Sequence, residues 1–379
     1  MKEVSSSGRW RKAWRLAAVV LVAAGLAVAV VDAGLARRGP TFPGKHWGRI
    51  SPRHAGFSRE KLVELAWKAG GAGCLVKGGR MVFEWGDTAA VNDAASSAKP
   101  FYTYLAFKAV EEGRLASLDD FAVDWMPELG ELNEGLGYKD RGITFHHLLS
   151  QTSGYGLEEK PGEAFAYNDY ATGLLSWILF HRVYGVEAGR DDDIINGEVL
   201  GSAIGFEHAS TVQHRNSRPR RIRISVRDQA RFMLLMQRGG RWGGRSVLRE
   251  DLYTQMMAFT LPPDLPQTSG EEEDHLDEIE TFGGGKDLKV HLGCLGYYWW
   301  FNRVAADGER LLPDAPPGTF FGAGYGGRFV MMAMPEEDLV VVWQDIYDGE
   351  DWSPLSETGR FKVNEVVAEL LDARTGAGR

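Results

Sequence analysis

Three short stretches carry side chains that can do acyl chemistry together: Ser96-Ser97-Ala98-Lys99, Tyr167-Asn168-Asp169, and Gly322-Ala323-Gly324-Tyr325-Gly326-Gly327. A serine hydroxyl is a weak nucleophile until a neighbouring group takes its proton. Lys99 follows Ser96 by three residues at the start of a helical pattern, which sets hydroxyl and ammonium on one face. A lysine desolvated in a cleft can lose its proton and act as that base, or it can stay charged and make a nearby tyrosine more acidic. Pro100 fits a helix that begins here, because the first-turn N–H groups have no intrahelical partner to lose. Alone, a serine three before a lysine is a common spacing. Its weight comes from what surrounds it.

The elements that must position these groups can be read from periodicity. Ser58 to Ala69 reads as a capped helix with Leu62, Leu65 and Ala66 at helical spacing. Cys74 to Lys77 and Met81 to Trp85 read as strands joined by Gly78-Gly79, a dipeptide suited to a tight hairpin turn. At the far end Tyr297 to Phe301, Arg328 to Met334 and Leu339 to Trp343 are strand-like, with Pro335-Glu336-Glu337-Asp338 as a turn. Val363, Val366, Val367, Leu370 and Leu371 mark one face of a closing helix. Between these β-rich ends Phe101 to Glu112, Thr144 to Leu149, Tyr170 to Val183 and Arg227 to Gln237 follow the helical period. The pattern predicts an α+β fold. One antiparallel sheet is built from both chain ends and flanked by helices, and an all-helical lobe, about residues 94–282, is inserted in it.

The 379 residues are 44% hydrophobic and 25% charged, an ordinary globular balance with enough apolar material for a large core. A net charge of −9 argues against a nucleic-acid partner, which needs a basic patch. Residues 1–38 carry +5 and the remainder −14. Within that basic start, Leu16 to Val31 is an uncharged run of Ala, Val, Leu and Gly. It reads either as a cleavable signal peptide ending near Val31-Asp32-Ala33 or, extended to Ala36, as a single membrane-spanning anchor. Both readings export the chain to a periplasmic or other extracytoplasmic compartment, with membrane contact through the N-terminal segment if it is uncleaved. Residues 39–50 then read as a Pro/Gly linker, 51–372 as the folded domain and 373–379 as a tail. Cys74 and Cys294 are too few for a cysteine-based metal centre, and stand either as a disulfide or as two buried thiols. Glu271 to Glu280, with seven acidic residues, reads as a solvated loop rather than a metal site at His275 and Asp277.

The order of the motifs carries a resemblance. Ser96-Ser97-Ala98-Lys99-Pro100-Phe101, followed by Val110-Glu111-Glu112-Gly113-Arg114-Leu115 and Leu118-Asp119-Asp120, comes first, and Ile143-Thr144-Phe145-His146-His147-Leu148-Leu149-Ser150-Gln151-Thr152-Ser153-Gly154 comes next. Pro161-Gly162-Glu163 leads into Tyr167-Asn168-Asp169, and Asp228-Gln229-Ala230-Arg231-Phe232 and Gly240-Arg241-Trp242-Gly243-Gly244 follow. From about Ser51 to Leu371 the sequence resembles the serine β-lactamase and penicillin-binding protein family, in particular its class C-like esterases, peptidases and amide hydrolases. The resemblance implies Ser96 as the acylated nucleophile, Lys99 as its proton partner and Tyr167 as the general base for deacylation. It also implies an oxyanion hole at the backbone N–H groups of Ser96 and Tyr325, with Gly324 and Asp169 beside the substrate and no metal or organic cofactor. His146 and His147 read as structural.

Two positions depart from the family's pattern. Asp169 stands where the tyrosine motif commonly ends in asparagine, and Gly322 stands where lysine or histidine commonly opens the third motif. Both changes make the site more negative. An ionised Asp169 favours a charged Lys99, and Gly322 removes a group that holds substrate carboxylates in the family, with Arg328 as a candidate replacement. The expectation is an exported Ser-Lys-Tyr hydrolase of neutral or cationic esters and amides, small-molecule or peptide, and a poor β-lactamase. The alternative is a non-catalytic binding or scaffold protein on the same fold. An α/β-hydrolase lacks its G-x-S-x-G here, and a zinc peptidase its H-E-x-x-H.

Overall fold

Ser58 opens the first helix through its hydroxyl, which accepts the Lys61 N–H at 3.3 Å. Helix α1 (Arg59–Ala69) follows and buries Leu62, Leu65 and Ala69. Strands β1 (Ala72–Lys77) and β2 (Arg80–Trp85) form the expected hairpin, with Gly78 and Gly79 at φ of +61° and +74°. The computed structural model describes residues 41–215, 218–277, 279, 292–305, 308–346 and 360–375. The Leu16 to Val31 run lies outside them, and among the described residues no helix is long and apolar enough to cross a membrane.

The middle of the chain is largely helical. A two-residue strand β3 (Asn92–Asp93) leads through a 3₁₀ turn (Ala95–Ala98) into α2 (Lys99–Glu111). Next come α3 (Phe145–Ser150) and α4 (Asp169–Trp177). The helix expected as far as Val183 continues beyond α4 in wider π turns over Ile178–Val183. Strands β4 (Thr211–Arg215) and β5 (Arg218–Ile224), absent from the expected pattern, pair with each other and with β3 in a small sheet ordered β3-β5-β4. Helices α5 (Val226–Gln237) and α6 (Glu250–Ala258) complete this part.

The chain then returns to the main sheet through β6 (Leu295–Gly296), β7 (Trp299–Phe301), β8 (Phe320–Gly324), β9 (Phe329–Met334) and β10 (Leu339–Gln344), and ends in α7 (Arg360–Asp372). The strand order is β2-β1-β10-β9-β8-β7-β6, antiparallel throughout, so the two ends of the chain meet at the β1–β10 pair. Strand β10 is buried along its whole length because both faces are covered. Val340 and Val342 face the cluster that contains the inserted helices, while Leu339, Val341 and Trp343 face the cluster that includes α1 and α7.

Several boundaries differ from the sequence reading. The Tyr297 to Phe301 strand begins only at Trp299. Tyr297 and Tyr298 lie at φ of +47° and +65° as the two-residue turn between β6 and β7, in a conformation such turns normally give to Asn and Gly. The linker assigned to 39–50 is too long, since Phe42 onward belongs to the folded unit. The Phe42 ring lies 5.2 Å from that of Trp242. The Trp47 N–H donates to Glu207 Oε1 at 3.1 Å and its indole to Arg227 O at 3.3 Å. The tail assigned from 373 also starts too early, because Ala373 is fully buried and Thr375 N–H donates to Gly56 O at 2.9 Å. Cys74 and Cys294 form no disulfide and are buried in different clusters. Burial pushes the Cys74 thiol well up.

Candidate active site

Asp93 ends β3, and the chain must turn sharply to enter the helix. Ala95 takes the left-handed region at φ +51°, and Ser96 follows in the 3₁₀ turn with its side chain partly open to solvent. Side chains three apart eclipse in a 3₁₀ turn, so Lys99 comes directly in register with Ser96. The turn is tied from below. Ser97 Oγ donates to Ala94 O at 2.6 Å and accepts from Gln229 Nε2 at 3.3 Å. Gln344 Nε2 donates to Gln229 Oε1 at 2.7 Å and to Ile224 O at 3.0 Å, linking the turn to α5 and to β10.

Lys99 is buried, and its ammonium donates to Asp169 Oδ1 at 2.8 Å. It also sits 3.9 Å from the Tyr167 ring centroid and 5.9 Å from that of Tyr298. Burial alone would push this ammonium toward its neutral form, but the Asp169 carboxylate and the two tyrosines outweigh it, and the net shift is upward. Asn168 fixes the neighbouring backbone. Its Oδ1 caps α4 through Tyr170 N–H at 2.8 Å, and its Nδ2 donates to Tyr155 O at 2.6 Å. Asp169 is the first residue of α4, where the helix N-terminus favours a carboxylate.

The third stretch closes the site from the sheet. A side chain at Gly324 would lie 2.8 Å from Ser96 N, so only glycine lets β8 approach the nucleophile turn this closely. Tyr325 follows at φ +46° and is half exposed. A side chain at Gly322 would meet Ser97 O at 2.7 Å and Pro100 Cγ at 3.0 Å. The position therefore faces the base of the nucleophile turn, and a cationic side chain has no room there. Arg328 does not supply the missing charge freely, since it is ion-paired with Asp345.

Ser96, Lys99, Tyr167, Asp169, Gly324 and Tyr325 thus come from three separate segments into one locality. His146 and His147 do structural work. His146 Nδ1 is hydrogen-bonded to Tyr297 Oη at 2.7 Å, and His147 completes a capping box with Thr144. The His275 ring packs tilted against that of Tyr170, with centroids 4.3 Å apart, and no group of three potential metal ligands occurs among the described residues. The acidic run is less free than expected, since Leu276 N–H donates to Tyr155 Oη at 2.8 Å. Sequence reasoning missed Tyr298, whose buried ring lies below Lys99. It also missed the Gln229–Gln344 support and Arg221, whose guanidinium grips Asp93 beside the nucleophile turn. The run of basic residues in β5 was the available signal for Arg221.

Comparison with known proteins agrees with the fold. A family model described as Beta-lactamase matches residues 60–344. The fold is similar to a penicillin-binding protein homolog from Caulobacter crescentus, with a TM-score of 0.57 at 12% identity over 86% of this chain and 99% of that one. It is similar to a beta-lactamase from Mycobacterium bovis, with a TM-score of 0.53 at 20% identity over 83% and 99% of the two chains. It is also similar to EstCE1, a hydrolase with promiscuous acyltransferase activity, with a TM-score of 0.53 at 14% identity over 83% and 97%. No curated protein matches the sequence.

Proposed function

Because the chain belongs to the beta-lactamase family, whose members are serine hydrolases, we propose that it is an exported acyl hydrolase in which Ser96 forms an ester intermediate with its substrate. The observation that carries the proposal is the buried Lys99 ammonium, held 2.8 Å from Asp169 and 3.9 Å over Tyr167, one eclipsed turn from Ser96. Ser96 Oγ adds to the substrate carbonyl carbon. The Tyr167 hydroxyl takes the serine proton as it passes its own to the departing oxygen or nitrogen, so the leaving group departs neutral. Lys99, kept positive by Asp169, favours electron density on Tyr167 oxygen during that relay. The N–H groups of Ser96 and Tyr325 hold the developing oxyanion. Water then repeats the sequence in reverse and releases the acid.

The absence of room for a cation at Gly322 and the pairing of Arg328 support neutral or cationic esters and amides over carboxylate-bearing β-lactams. The test is a panel of p-nitrophenyl esters, D-amino-acid amides and a chromogenic cephalosporin, with a fluorophosphonate probe, on wild type and Ser96→Ala. Turnover and labelling lost in Ser96→Ala support the proposal. The Lys99–Asp169 ion pair also favours a second reading, a binding protein whose lysine is locked away from proton transfer. Silence of the wild type toward both probe and panel would establish that one.

A further inference from the structure

The residue before the nucleophile carries a cost that its surroundings offset. Ala95 sits at φ +51°, a region alanine enters at about 1–2 kcal/mol, so something must hold it there. Its N–H donates to Asp93 Oδ1 at 2.8 Å. Asp93 is in turn gripped by Arg221, whose Nε lies 3.1 Å from both carboxylate oxygens and whose Nη2 lies 2.9 Å from Oδ2. The neighbouring Ala94 N–H donates to Ile222 O at 3.1 Å, so β5 stitches the approach to Ser96 on two sides. Arg221 and Asp93 are largely buried, at 16% and 28% side-chain exposure, which shields the pair from solvent screening. Arg221 also lies within electrostatic range of Tyr325, the other proposed oxyanion donor.

We propose that Arg221 is a positioning residue: through Asp93 it locks Ala95 in the left-handed conformation that aims the Ser96 N–H and hydroxyl at the substrate carbonyl. This rests on the Ser96 reading above. Arg221 makes no bond to substrate in this scheme, because its fork is spent on Asp93. Its removal frees Ala95 to relax, and displacing a nucleophile by about 1 Å costs on the order of 100-fold in rate.

The experiment compares wild type, Arg221→Ala, Arg221→Lys, Asp93→Asn and Ser96→Ala by steady-state kinetics on a p-nitrophenyl ester, with thermal melting as the control for folding. Arg221→Ala should lower kcat by about 100-fold with KM within about twofold, and added guanidinium should restore a measurable part of the loss. Asp93→Asn keeps an acceptor for the Ala95 N–H and should lose less than Arg221→Ala, and Arg221→Lys should fall between wild type and Arg221→Ala. A structural role alone would lower the melting temperature without guanidinium rescue, and this outcome overturns the proposal. So does an unchanged kcat, or a raised KM at constant kcat, which would place Arg221 on the substrate. Activity surviving in Ser96→Ala would instead overturn the nucleophile assignment.

Discussion

The Lys99 ammonium and the Asp169 carboxylate share a hydrogen bond of 2.8 Å across 70 residues of sequence, and it sets the protonation state of the site. Of the forces on Lys99, burial opposes the charge and Asp169 restores it. Replacing the carboxylate by its amide leaves burial in command, and the lysine releases its proton at lower pH. Asp169→Asn should therefore bring the high-pH falling limb of ester hydrolysis to lower pH than in wild type, and should lower the acylation rate by about tenfold once the lysine is neutral, because the charge that favours electron density on Tyr167 is lost. Superimposable pH profiles of kcat/KM for the two proteins would contradict this.

Gly322 is expected to tolerate nothing larger. The close neighbour of a new Cβ is the backbone oxygen of Ser97, which cannot move without moving the nucleophile turn. Gly322→Ala should cost about 1–3 kcal/mol, seen as a lowered melting temperature, and should slow labelling by a fluorophosphonate. Gly322→Lys should be worse on both readouts and should not confer penicillin turnover. A well-folded Gly322→Lys variant with new β-lactamase activity would reverse the assignment of this position to packing.

His146 and His147 make acid the weak side of the stability profile. Burial lowers both, so the folded state prefers them neutral while the unfolded chain protonates them near pH 6.5. Their contribution is fully present above that value and is lost as the pH falls below it. Urea unfolding at a series of pH values should show stability dropping from pH 7 toward pH 5. In His146→Gln the drop should be shallower, and an identical slope would count against the histidines as its source.

Glu207 anchors the segment around Trp47. It accepts from Trp47 N–H at 3.1 Å and from Arg231 Nη2 at 2.9 Å, and Arg231 is fully buried. Glu207→Ala removes the nearer of that guanidinium's two carboxylates, leaving Asp228 at 3.9 Å, and should destabilise the fold by about 3 kcal/mol in denaturant titration. Glu207→Gln keeps an acceptor and should lose less.

Local chemistry made much of this legible in the sequence. The Gly78-Gly79 hairpin, the Ser58 cap and the apolar runs of β9 and β10 depend on near neighbours, which a sequence displays. Ser96, Lys99 and Tyr167 stood out through order and spacing. Arg221, Tyr298 and the Gln229–Gln344 support did not, since each acquires its role from a partner more than a hundred residues away. Tyr297 and Tyr298 misled for a different reason: aromatic residues favour strands, and here both sit in a turn with their hydroxyls hydrogen-bonded to the distant His146 and Thr172.

The meeting of the chain ends in the main sheet sets an order of assembly. Val76 pairs with Val340 and Leu75 with Val341, so the hairpin made first during synthesis has no sheet to join until nearly the whole chain has left the ribosome. Contacts of such sequence separation form late, and β1 must meanwhile present an open apolar edge. The 72–85 hairpin is thus the segment that folding assistance has to shield. A nascent chain arrested before Leu339 should be cut there by protease, whereas one extended past Gln344 should be protected.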